Sequence, residues 1–156
     1  MKKYSVKRDG KTFTISNENN DRSEIIFDEN NIEATLSGSS KTLRVERDDA
    51  TKNMVLKENG KALFTFKFDY IWGGAEIVTN GVDTGYDIKG RWFKPGTRLT
   101  NENDKDLIIA TKKDDGLEVV VVDENIDPTM VLATIYYHIY SSGSKMLSVL
   151  IGNISH

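Results

Sequence analysis

From Asp127 to Tyr140 the chain reads Asp127-Pro128-Thr129-Met130-Val131-Leu132-Ala133-Thr134-Ile135-Tyr136-Tyr137-His138-Ile139-Tyr140. Wound as a helix, this segment places Thr134, His138 and Ser141 on one narrow stripe, at i, i+4 and i+7, and every other direction is apolar. A surface helix keeps a broad polar face, so a helix apolar nearly all round must be enclosed. The residues before it read as short strands, and strands that enclose a helix make a barrel with a plug. Asp127 suits the N-cap and Pro128 the first helical position. Gly143 offers a stop, after which Met146 to Ile154 would add a strand or lie along the barrel mouth. A hairpin is the competing reading. The run is rich in β-branched and aromatic residues, and Ser141 to Ser144 would turn it into Met146 to Ile151. Periodicity does not separate the two, and the Asp-Pro start favours the helix.

The preceding residues alternate with period two. Phe64, Phe66 and Phe68 alternate with Thr65, Lys67 and Asp69, and Ile32, Ala34 and Leu36 sit between polar neighbours. That pattern belongs to strands with one buried and one wet face. Polar turns punctuate it at 8–11, 16–22, 28–31, 58–61, 100–106 and 113–116, as in consecutive antiparallel hairpins. Leu56 to Phe64 and Leu99 to Ile108 form a weak internal repeat of strand, Asn/Glu-rich turn and strand, which shared turn chemistry explains as well as duplication does. With Pro95 and Pro128 the only prolines, the pattern predicts about ten to twelve short strands.

A length of 156 residues predicts a single domain, 1–156. A formal charge of -3 leaves no electrostatic footprint for nucleic acid. Without cysteine, disulfides, thiolate-bound zinc and thiol catalysis are excluded, and the composition fits a cytoplasmic location. The N-terminal Met1-Lys2-Lys3-Tyr4 has no apolar run behind it, which argues against a signal peptide. The uninterrupted apolar part of the last segment is about a dozen residues, whereas a span needs roughly 20, so no transmembrane segment is expected.

The catalytic inventory is thin. His138 and His156 are the only histidines, His156 is the last residue, and there is no Gly-x-Ser-x-Gly elbow. A base at His138 with Thr134 or Ser141 beside it competes with the simpler reading of a core histidine bonded to a barrel backbone group. Asp123, Asn125 and Asp127 have the spacing that opens a calcium loop. Pro128 and Thr134 stand where an EF-hand needs glycine and glutamate, so a turn and helix cap is expected and no metal. Trp72-Gly73-Gly74 reads as a strand end or bulge. Gly90-Arg91-Trp92 mimics a lipocalin motif, but it lies past the middle of the chain.

The run Gly85-Tyr86-Asp87-Ile88-Lys89-Gly90-Arg91-Trp92, then Arg98-Leu99-Thr100, Leu107 to Lys113 and Met130 to Ile135, resembles the LURF-one-related family of the tubby C-terminal-like group, which also includes the phospholipid scramblases. The likeness covers the second half well and the first half only as a rhythm of hairpins. It implies a mainly β (α+β) chain, a closed antiparallel barrel of roughly twelve strands around a central hydrophobic C-terminal helix. His138 and Tyr140 depart from the acidic helix end common in that family, and a tail follows.

The resemblance also implies a non-catalytic module at a membrane surface or on a protein partner. Tubby domains hold phosphoinositide head groups through basic residues, and Lys89, Arg91, Lys112 and Lys113 are the candidates for such a patch here, with Lys94 and Arg98 near them. Basic side chains on the wet face of strands are ordinary as well. No enzyme and no cofactor are expected. The alternative is a carrier of a small apolar ligand in a calycin-like barrel, which a plug of Met130, Leu132, Ile135, Tyr136 and Ile139 would leave no room for. A cavity of roughly 300 Å³ or more would favour the carrier.

Overall fold

In the computed structural model, twelve strands run in chain order: β1 Lys2–Asp9, β2 Thr12–Asn17, β3 Arg22–Phe27, β4 Ala34–Ser37, β5 Thr42–Arg47, β6 Met54–Glu58, β7 Lys61–Phe68, β8 Ala75–Thr79, β9 Val82–Arg91, β10 Lys94–Thr100, β11 Asp106–Lys113 and β12 Gly116–Val121. One helix, α1 Pro128–Ile154, follows them. The structure describes all residues except 39, 70, 72, 92, 93, 115, 155 and 156, and the side chains of Arg91, Lys94 and residues 143–154 also lie outside the description.

Each strand pairs antiparallel with its sequence neighbour, and β1 closes the ring on β12, from Lys2 opposite Val121 to Lys7 opposite Gly116. The barrel is therefore closed and up-and-down, and it has no free edge. Turn chemistry sets the hairpins. Asn59-Gly60 and Asn80-Gly81 both take positive φ, the tight two-residue turn whose twist matches the flanking strands.

Alternation places Val6, Ile15, Ile25, Leu36, Val45, Leu56, Phe66, Ile77, Ile88, Leu99, Ile108 and Val119 inside. Twelve strands enclose more space than their own side chains fill, and α1 fills the remainder. Met130, Leu132, Ile135 and Tyr136 are buried and Ile139 is half-buried. Tyr136 sits at the centre, stacked on Phe27 at 5.5 Å and packed against Phe66 at 5.7 Å, with its hydroxyl donating to the Ile32 carbonyl at 2.6 Å. Burial pushes its phenol well above the usual range. The helix begins as the sequence predicts, with the Thr129 amide donating to Asp127 Oδ1 at 2.9 Å. It does not stop at Gly143. The backbone stays helical to Ile154, so of the two expectations for the tail the added strand is not met. Among the described residues, no helix is long and apolar enough to cross a membrane.

Candidate functional site

The helix starts at the end of the barrel that carries the β4–β5, β6–β7, β8–β9 and β10–β11 turns. Three register shifts lie at this same end, between Leu56 and Lys57, Glu76 and Val78, and Leu99 and Thr100. Extra residues in one strand bend it and re-aim its side chains, a device common at barrel rims. Leu63 is the extra residue of β7, and Thr84-Gly85-Tyr86 of β9 stand opposite Ile77 alone. Thr84 Oγ stitches the second bulge, donating to the Ile77 carbonyl at 2.7 Å and accepting the Tyr86 amide at 3.2 Å.

Between this bulged part of β7 to β9 and the first turn of α1 lies a cleft of about 520 Å³. Its lining runs from buried Phe64, Ile77 and Met130, through half-buried Leu63, Thr79, Tyr86, Glu58 and Asp123, to exposed Lys41, Asn125 and Asp127. A smaller cleft of about 210 Å³ lies on the other side of the helix start, between Tyr4, Ile15, Leu43 and Leu132. The plug does fill the barrel's centre, as expected. Room for a ligand is at the mouth beside it.

The predicted basic residues do not converge. Lys89 pairs across β10 with Arg98, which pairs with Ile109, whereas Lys113 lies four residues further along β11. At strand spacings this separates Lys89 from Lys113 by roughly 16 Å. Successive residues face opposite sides, so Lys112 and Lys113 diverge as well. Lys89 contacts Asp104 at 3.0 Å, and Lys113 contacts Glu118 at 2.9 Å. Arg98, only 14% exposed, lies between Asp104 at 3.1 Å and Asp106 at 2.9 Å. The Lys89 and Arg98 side chains hold the Asp104 carboxyl below its usual range, and Lys113 does the same to Glu118. Lys112 is exposed and has no carboxylate partner among the described residues. Arg91 is placed by its backbone opposite Lys94, but both side chains lie outside the described residues.

Thr134 Oγ donates back to the Met130 carbonyl at 2.8 Å, and Ser141 Oγ to the His138 carbonyl at 3.2 Å. His138 Nδ1 lies 2.7 Å from Thr97 Oγ of β10. His156 and Trp72 lie outside the described residues. Asp123 Oδ1 accepts the Asn125 amide at 3.0 Å, which with the Asp127 cap makes this segment a turn and cap. Among the described residues, no three His, Asp or Glu side chains converge as metal ligands.

Sequence reasoning missed the cleft because bulge residues help to line it, and an extra residue in a strand leaves only a one-residue slip in the alternation. Leu63 beside Phe64 is that slip. Comparison with family models, with characterised proteins and with solved structures gives no match for the chain.

Proposed function

We propose that this chain is a non-catalytic binding barrel of the tubby-like, LURF-one-related kind, whose ligand is a small amphipathic molecule seated in the mouth cleft. The observation that carries this reading is the cleft itself. Its volume falls within the range of small-molecule sites, and its lining joins buried apolar side chains such as Phe64, Ile77 and Met130 to exposed polar ones such as Lys41, Asn125 and Asp127. Such a site suits a ligand with an apolar body and a wet head. The non-catalytic part of the reading is supported by the described contacts of Thr134 and Ser141, which go to backbone carbonyls and not to a base. A twelve-stranded barrel around a helix is the architecture the family resemblance implies, and it supports that kinship.

Octyl glucoside below its micellar concentration tests the reading by calorimetric titration. Binding is expected to the parent chain and to be lost in Asn125→Trp. That substitution puts a large ring on the cleft rim from an exposed loop position, so thermal unfolding should stay unchanged. Equal binding by both proteins, or none by either, contradicts the reading. The membrane-surface reading is less well supported, because Lys89 and Lys113 already face carboxylates. Binding to phosphoinositide vesicles that disappears in Lys112→Glu/Lys113→Glu would favour it instead.

A further inference from the structure

We infer that the mouth cleft selects a cationic amphiphile, an apolar chain bearing an amine or quaternary ammonium head, over an anionic one of the same length. The inference rests on the binding reading above and adds the sign of the charge. Three carboxylates, those of Glu58, Asp123 and Asp127, stand on the rim against one ammonium, that of Lys41. Opposite charge at a cleft mouth concentrates a ligand, and like charge repels it.

A helix N-terminus is ordinarily the place for an anion, since its first amide groups point outward unpaired. This one is closed. Pro128 has no amide hydrogen, the Thr129 amide donates to Asp127 Oδ1 at 2.9 Å, and the Met130 amide donates to the Asp127 carbonyl at 2.8 Å. The capping carboxylate also offsets the positive end of the helix dipole. An arriving carboxylate or phosphate would therefore meet a negative charge where a bare helix start would offer donors. Tyr86 also lines the cleft, and an aromatic ring attracts a weakly hydrated cation brought over its face.

Octyl glucoside, octyltrimethylammonium and octanoate carry alkyl chains of nearly equal length and differ in head charge, so their affinities separate the two ideas. At low salt the cation should bind about tenfold tighter than the anion, and the difference should shrink by 0.5 M salt as the rim charges are screened. Glu58→Gln should weaken cation binding severalfold, and Lys41→Gln should strengthen it, so the two variants move in opposite directions. Both positions are on the rim, and the unfolding midpoint of each variant checks that the barrel is intact. Binding of octyl glucoside with octanoate as tight as the cation, or both variants moving the same way, overturns the charge inference and leaves the binding reading standing. Failure of all three probes overturns both.

Discussion

The outer wall is held residue by residue by pairs of opposite charge, and their strength follows their exposure. Arg44 of β5 grips both oxygens of Asp28 in the β3–β4 loop and reaches Thr35 Oγ at 3.1 Å. The Arg44 hydrogen bond is the main reason the Asp28 carboxyl stays ionised below its usual range. A carboxyl whose folded pKa is depressed contributes stability above its unfolded value, near 3.9, and that contribution disappears as pH falls through the lower folded value. Both side chains are about one-third exposed, so water screens the pair and the expected contribution is modest. Asp28→Asn should cost about 0.5–1 kcal/mol in urea unfolding at pH 7, and the two proteins should converge as pH falls below the ordinary carboxylate range. A gap that persists or widens at low pH would mean that the pair acts through something other than charge.

At the scale of elements, hairpin turns and bulges do most of the shaping. The β7–β8 loop closes on Gly74, whose φ of 88° belongs to the left-handed region, and a Cβ there would press on the Ile88 carbonyl of β9. Gly74→Ala is therefore strained twice, once by φ and once by contact, and should destabilise by about 2 kcal/mol or more. Gly60→Ala meets open space and has only the turn's positive φ against it, so its cost should be smaller. Thermal unfolding of the two variants side by side checks the order. Much of this level was legible in the sequence. The Phe64/Phe66 alternation, the Asn59-Gly60 turn and the Asp-Pro helix start stand where periodicity and cap chemistry put them. The β8–β9 turn carries the same Asn-Gly signal at Asn80-Gly81 and was as readable. The helix stop was not, because glycine ends a helix only when later residues leave the axis, and here they continue along it.

For the whole molecule, a ring of twelve strands and one helix solve a single packing problem. The ring encloses more volume than its inward side chains occupy, and the helix supplies apolar surface in every direction. This is why the all-round apolar segment revealed the architecture so directly. The proposed site was less legible because it lies where the ring departs from regularity. The basic residues that a family likeness singles out are spread over two faces, and two of them are matched by Asp104 and Glu118. The cleft is lined in part by Leu63, Thr84 and Tyr86, residues with no chemistry to mark them in a sequence.

Amide chemical-shift mapping of the ¹⁵N-labelled chain during titration with octyltrimethylammonium tests the central claim most directly, because it reports where a ligand sits without a prior choice of site. The account predicts saturable shifts grouped at Leu63, Thr79, Thr84, Tyr86, Asn125 and Thr129, with the outer faces of β9 to β12 unmoved. Shifts centred on Lys112 and Lys113, or none that saturate, would contradict it.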